Sequence, residues 1–174
     1  GAVCFPGAVA QEKAAAAFWR HTADHEKRRE EDINHISRFG SIYRCGIDWA
    51  RLQTSSKAAF DTTVVEEYQH FFAKLKERGM DIMLVIHHFA HPVWLEKQGG
   101  WTKEDSIPAY VDFAQQCILH FGDYVKYWNT FNEPNVFALK AYMLGDFPPF
   151  RKNYLLANRV LYYMGKAHDI AYEL

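Results

Sequence analysis

Short apolar runs alternate along this chain with longer amphipathic stretches. Residues 41–47, 80–86 and 125–131 read SIYRCGI, MDIMLVI and VKYWNTF. They are short and rich in β-branched or aromatic residues, which predicts three strands. The second run lacks a clean polar–apolar alternation, as expected of a strand buried on both faces of a parallel sheet.

The stretches between these runs predict helices. Asp61 is placed to cap a helix, and Thr102 with Asp105 resembles a capping box before another. Residues 24–39 form a charged helix whose inner face is predicted to be Ile33, Ile36 and Phe39. A last helix is predicted from Asn153, with this buried stripe: Leu155, Leu156, Val160, Tyr163, Ala167 and Ile170.

Three glycines, Gly40, Gly79 and Gly122, are predicted helix stops, and each comes just before a strand. This βα repeat predicts an α/β fold with a parallel sheet, arranged as a (β/α) barrel of TIM type. A weaker first strand at residues 2–10 brings the number of βα units to about four. An eightfold barrel typically needs about 250 residues. Residues 1–174 are therefore expected to form one domain, the N-terminal half of a barrel, by truncation or by assembly with another copy or half.

Composition narrows the class of protein. Apolar residues make up 49% of the chain and the formal net charge is -1, so neither nucleic acid nor an anionic membrane is expected as a partner. The three widely spaced cysteines favour a reducing compartment. With no signal peptide or membrane-spanning run read from the sequence, a cytoplasmic location is expected. Nothing in the sequence implies a cofactor.

Reactive side chains of such barrels lie where strands end. Those positions hold Arg44, Asp48, His88 and the pair Asn132 and Glu133. A carboxyl lined by aromatics such as those at 128 and 131 is where desolvation raises a pKa enough for a general acid. A glutamate before a proline is also common as a helix N-terminus or loop charge. His87, His88 and His91 fall within five residues, but no evident carboxylate or cysteine completes a ligand set, so no metal is expected.

Several motifs carry a family resemblance. Residues 128–135 read WNTFNEPN, residues 43–51 read YRCGIDWAR, residues 88–92 read HFAHP, and residues 99–101 read GGW. In this order and spacing they resemble glycoside hydrolase family 1, the β-glucosidase and phospho-β-glucosidase family.

The resemblance implies roles for five residues. Glu133 would be the acid/base, Asn132 would hold the sugar 2-hydroxyl, and His88 would bind a ring hydroxyl. Arg44 would contact the nucleophilic carboxylate and hold it ionised, although by its residue type alone it could be a core arginine paired with Asp48. Gln11 is the candidate for the family's first-strand glutamine.

The chain departs from the family pattern in three ways. Cys45-Gly46 replaces the usual Phe-Ser, and Phe89-Ala90 replaces Trp-Asp. The family's nucleophile motif, Glu-Asn-Gly on a late strand, does not occur in the sequence. The resemblance implies that the complete enzyme cleaves β-glycosides with retention by double displacement. Because the nucleophile motif is missing, the 174-residue chain alone is expected to be inactive. The alternative is a non-catalytic half-barrel that binds sugar or self-associates.

Overall fold

The computed structural model describes residues 25–56 and 58–174. Three parallel strands form one sheet in this part of the chain, in the order β1-β2-β3. Strand β1 is Ile42–Gly46, β2 is Asp81–His87 and β3 is Tyr127–Phe131. All three predicted strands are confirmed, each shorter than or offset from its predicted range by one or two residues. The predicted first strand and Gln11 lie outside the described residues.

The strand register brings the carboxyl ends of the strands together. Gly46 pairs with Val85, and His87 pairs with Phe131. Residues that follow these pairs therefore emerge at the same edge of the sheet, as predicted from the βα repeat.

Helices follow each strand. The α-helices are α1 His25–Ile36, α2 Trp49–Leu52, α3 Thr62–Glu77, α4 Val93–Lys97, α5 Ser106–Phe121, α6 Pro134–Ala138 and α7 Tyr154–Tyr172. A short 3₁₀ turn, Gly100–Thr102, joins α4 to α5, and a π-helical segment, Leu139–Leu144, follows α6. None of the helices in the described ranges is long and apolar enough to cross a membrane.

The predicted N-cap at Asp61 is confirmed, and Asn153 caps the helix that was predicted to start near it. The Asp61 carboxylate accepts the N–H groups of Thr63 and Val64, and the Asn153 side chain accepts those of Leu155 and Leu156. Each satisfies backbone donors that have no partner inside the helix.

The predicted capping box at Thr102 is wrong. The Thr102 hydroxyl donates to the Gly99 carbonyl at 2.6 Å, inside the 3₁₀ turn. Asp105 occupies the N-cap position of α5, but its side chain makes no capping hydrogen bond. The Ser106 hydroxyl donates to the Lys103 carbonyl at 2.7 Å. The left-handed backbone of Gly99 and Gly100 turns the chain too tightly for a reciprocal cap.

The glycine stops act in different ways. Gly79 follows α3 with φ of +73°, a conformation that favours glycine. Gly122 also ends its helix as predicted, but with an ordinary helical φ of -55°. Helix α1 ends at Ile36, three residues earlier than predicted, and a turn leads to Gly40. Phe39 lies in this turn and is 88% exposed, so its predicted place on the inner face is wrong.

Aromatic packing forms the core between the sheet and the helices. The Trp49 and Phe113 rings stack with centroids 4.5 Å apart, and Phe72 meets Phe121 edge-on at 5.6 Å. In α7, Val160 and Ala167 are buried as predicted, but Leu155 and Ile170 are 61% and 48% exposed. Three residues outside the predicted stripe complete the buried face of α7 with Val160 and Ala167: Ala157, Met164 and Ala171.

Candidate active site

Arg44 and Asn132 meet at the carboxyl edge of the sheet. The Arg44 Nη2 donates to the Asn132 Oδ1 at 2.7 Å. The Asn132 side chain is almost fully buried, and its backbone N–H donates to the His87 carbonyl at 2.9 Å. Residues from all three strands are thereby tied together, and the amide of Asn132 has its oxygen occupied by a cation.

Glu133 follows Asn132 in a left-handed backbone conformation, with φ of +44° and ψ of +61°. It is the N-cap residue of α6, whose first residue, Pro134, starts the helix with a fixed φ. The Glu133 carbonyl accepts the N–H of Phe137 at 3.0 Å. Glu133 therefore lies between the carboxyl end of β3 and the start of α6.

The predicted aromatic lining of Glu133 is not what the structure shows. Glu133 is exposed in the described part of the chain. Phe131 is buried under the site, where its ring stacks on Tyr110 at 4.4 Å and meets Trp101 at 5.3 Å. Phe131 alternates to the core face of β3, so its ring supports the strand from below.

His88 lies beside both charged groups. Partial burial lowers the pKa of His88, the Arg44 cation lowers it further, and the Glu133 carboxylate acts in the opposite direction. A Cβ on Gly46 would lie 3.4 Å from the His88 Cβ, so the glycine leaves room next to this ring. A cavity of about 240 Å³ opens here, and Gly46, His88 and Ala90 are among the residues that line it.

Asp48 does not pair with Arg44 as the alternative interpretation of Arg44 required. Its carboxylate accepts the N–H groups of Ala50 and Arg51 and so caps α2. Its backbone N–H donates to the Tyr68 hydroxyl at 3.0 Å. Asp48 is therefore a structural cap, and Arg44 is directed to Asn132.

His87 supports the site from inside. It is fully buried, and its Nε2 accepts the indole N–H of Trp101 at 3.2 Å. His91 pairs with Glu96 through its Nε2 at 3.1 Å. Among residues 25–56 and 58–174, no group of three or more histidine, cysteine and acidic side chains is placed to hold a metal ion. No local pattern predicts the contact of Trp101 with His87, because the two residues belong to different elements.

Arg44, His88, Asn132 and Glu133 thus gather at the carboxyl edge of a parallel sheet, which is the site of catalysis in (β/α)-barrel enzymes. The group combines one exposed carboxylate with a guanidinium, an imidazole and a side-chain amide. The profile of glycosyl hydrolase family 1 matches residues 8–174, and the chain belongs to this family.

Known proteins agree with this assignment. The chain is 37% identical over 122 residues to the cytosolic beta-glucosidase of Homo sapiens, covering 69% of this chain and 26% of that protein. It is 30% identical over 148 residues to the galactolipid galactosyltransferase SFR2 of Arabidopsis thaliana, covering 76% of this chain and 24% of that protein. The chain therefore spans about a quarter of the length of these relatives.

The fold is confirmed by a solved structure. The GH1 beta-glucosidase from Exiguobacterium antarcticum B7 superimposes with a TM-score of 0.83 at 32% identity, covering 86% of this chain and 34% of that one. The described part of the chain is thus a partial (β/α) barrel of TIM type, as predicted from the βα repeat.

Proposed function

We propose that this chain carries the acid/base portion of a retaining β-glycosidase site. The observation that supports the proposal most directly is the bond between Arg44 and Asn132, with His88 and Glu133 beside it at one edge of the sheet. Glu133 protonates the glycosidic oxygen as it leaves and later takes a proton from the attacking water.

The other residues hold the sugar and the second carboxylate. The Asn132 N–H₂ group has both protons available to the sugar 2-hydroxyl, because Arg44 occupies the amide oxygen. His88 binds a neighbouring ring hydroxyl, and Gln11 is assigned a hydroxyl of the same sugar. Arg44 keeps the nucleophile ionised by its positive charge.

The mechanism requires a second carboxylate that this sequence does not supply. In double displacement a nucleophile about 5–5.5 Å from the acid/base attacks the anomeric carbon, and water then releases the sugar with retained configuration. No Glu-Asn-Gly motif occurs in the 174 residues, and Asp48, the other acid that follows a strand end in residues 25–56 and 58–174, is engaged as a cap. We infer that a C-terminal half-barrel supplies the nucleophile and that the 174 residues alone have negligible activity.

The names of two relatives support a proposal for the substrate class. The human relative is named a beta-glucosidase, so a β-glucoside or a related β-linked oligosaccharide is the proposed substrate. The Arabidopsis relative is named a galactosyltransferase. Transfer to a sugar hydroxyl in place of water uses the same glycosyl-enzyme and the same Glu133. The proposal involves neither a metal nor a cofactor.

Reconstitution tests the proposal. The chain is joined to the remaining part of the barrel from the human relative, and hydrolysis of an aryl β-glucoside is followed by absorbance. We expect turnover from the joined protein and none from the 174 residues. Replacing Glu133 by Gln should abolish turnover, and NMR of the first product formed should show the β-anomer. Turnover that survives Glu133→Gln, or an α-anomer as first product, would overturn the assignment.

A non-catalytic role is the second candidate, and the sheet edges favour it. Within the described residues β1 and β3 each pair on one side only. Open edges of this kind pair with another chain, so a sugar-binding half-barrel could self-associate. Light scattering of the chain, with and without glucose, separates a monomer from paired copies.

A further inference from the structure

Three buried polar atoms in the described part of the chain have no hydrogen-bond partner: His87 Nδ1, His91 Nδ1 and the Tyr142 hydroxyl. Their rings surround one residue, Phe137, at centroid distances of 5.3, 6.2 and 5.8 Å. Buried polar atoms are nearly always satisfied, and several such atoms in one place commonly share an internal water.

The contact with Trp101 determines which nitrogen of His87 carries the proton. An indole N–H can only donate, so the His87 Nε2 that receives it must hold a lone pair. The imidazole proton then lies on Nδ1, which is one of the three unpaired atoms. Complete burial, and next the neighbouring His91, lower the pKa of His87 well below its usual value, which favours this neutral form.

Glu96 contacts the ring of His91 at its other nitrogen and acts electrostatically on Tyr142. Glu96 Oε2 lies 3.1 Å from His91 Nε2. Burial, and next the negative charge of Glu96, raise the pKa of Tyr142, whose ring contacts Phe137. When His91 is neutral and donates to Glu96 through Nε2, its Nδ1 is an acceptor, complementary to the Nδ1–H of His87.

We propose that His87, His91 and Tyr142 bind one internal water, which accepts the Nδ1–H of His87 and donates to His91 Nδ1 or to Tyr142. Bound at both nitrogens, His87 is a positioning residue for the site whose function is proposed above. Its carbonyl accepts the N–H of Asn132, and His88 is its neighbour in the chain. The backbone of His87 therefore joins the ends of β2 and β3, and its ring anchors this point of the backbone in the core below the candidate site.

The first measurement needs only the full chain labelled with ¹⁵N-histidine. The ¹⁵N shifts of a neutral imidazole report which nitrogen is protonated, and we expect the Nδ1–H form for His87. A cross-relaxation signal between this proton and a long-lived water is expected too. An Nε2–H tautomer, a charged ring at neutral pH, or a proton that contacts no water would overturn the proposal.

Matched variants separate the two bonds of His87. An asparagine amide reaches about as far as Nδ1, and a glutamine amide about as far as Nε2. His87→Asn should keep the water signal and lose protection of the Trp101 indole N–H against hydrogen exchange. His87→Gln should keep the protection of the Trp101 indole N–H and lose the water signal. His120→Asn, in α5 and outside this cluster, should preserve both signals. Loss of both signals in both His87 variants would contradict the assignment.

Glucose then connects the cluster to the site. Glucose is expected to shift the resonances of His88 and Asn132, and to shift them less in His87→Phe, which lacks both bonds, than in His120→Asn. Equal glucose-induced shifts in these two variants would contradict the proposed positioning role of His87. Absence of any glucose-induced shift in the unmodified chain, with the His87 tautomer as expected, would count against the proposed function and leave the water site intact.

Discussion

The Arg44 guanidinium and the Asn132 amide oxygen lie 2.7 Å apart although 88 residues separate them in sequence. The bond joins β1 to the residue immediately after β3, across the intervening strand β2. It fixes the orientation of the Asn132 amide, leaving the N–H₂ group available, and it holds a cation near His88, on which Glu133 acts with the opposite sign. The charges of the site are therefore coupled, and this coupling can be measured.

The His88 imidazole reports that coupling. Since Arg44 lowers the pKa of His88 and Glu133 raises it, Arg44→Gln should raise the His88 pKa and Glu133→Gln should lower it further. Titration of the His88 ring protons by NMR measures both shifts. The exposed His35, on α1, is the internal reference within each spectrum. Shifts of the same sign in the two variants would show that His88 does not lie between these charges.

The same depressed pKa has a consequence for stability. Below the unfolded-state pKa of about 6.5, the unfolded chain binds a proton at His88 more readily than the folded chain does. The contribution of His88 to the free energy of unfolding is therefore present above pH 6.5. It is lost as the pH falls from about 6.5 to the lower folded-state pKa of His88. Urea unfolding at several pH values should show a weaker acid dependence in His88→Gln than in the unmodified chain.

The helix caps give a third prediction, because Asp61 and Asp105 both occupy N-cap positions of long helices and only the Asp61 side chain makes capping bonds. Asp61 accepts two backbone N–H groups, whereas the Asp105 side chain accepts none. Asp61→Ala should lower the free energy of unfolding by about 1 kcal/mol, and Asp105→Ala should lower it by clearly less. Urea denaturation of the two variants compares them directly. Equal losses would mean that both residues act through charge at the helix terminus.

These two caps also show what the sequence could and could not predict. Asp61 was identified because it precedes a regular amphipathic stretch and local spacing decides a cap. The spacing of Thr102 and Asp105 looked equally favourable, but the backbone of Gly99 and Gly100 is left-handed and forms a 3₁₀ turn first. Local pattern does not encode how tightly a pair of glycines turns the chain.

In the candidate site, too, some features were predictable from the sequence and others were not. The strand-end rule and the family motifs placed Arg44, His88, Asn132 and Glu133 together, and the parallel register brings their strand ends to one edge. The partner of Arg44 was not predictable, because it depends on side-chain reach across β2. The bond from Trp101 to His87 was missed for a similar reason: it joins a 3₁₀ turn to a buried strand.

Backbone strain at Glu133 gives a fourth prediction. A φ of +44° is unfavourable for any residue with a Cβ and suits glycine. Glu133→Gly should therefore raise the free energy of unfolding by up to about 1 kcal/mol, while removing the proposed acid/base. Glu133→Gln retains the Cβ and should leave stability nearly unchanged. Thermal and urea unfolding of both variants provide the comparison. If Glu133→Gly lowers the free energy of unfolding, the Glu133 side chain stabilises the fold by more than its left-handed backbone destabilises it.

Two glycines with positive φ separate backbone strain from side-chain collision. Gly79 has φ of +73° with nothing within 4 Å of an added Cβ, whereas Gly100 has φ of +53° and its added Cβ would collide with the Glu96 carboxylate. Gly79→Ala should cost about 1 kcal/mol from the backbone alone. Gly100→Ala should cost about 1–3 kcal/mol more, because Glu96 must move away and leave the buried His91 without its partner.

Urea denaturation measures both costs, and a second substitution identifies their origin. In a Glu96→Ala background the carboxylate and its bond to His91 are already gone, so only backbone strain should remain at Gly100. The costs of Gly100→Ala and Gly79→Ala should then become nearly equal. If the excess cost at Gly100 persists without Glu96, the collision does not arise from the carboxylate. The left-handed turn between α4 and α5 would then itself be the feature that requires glycine.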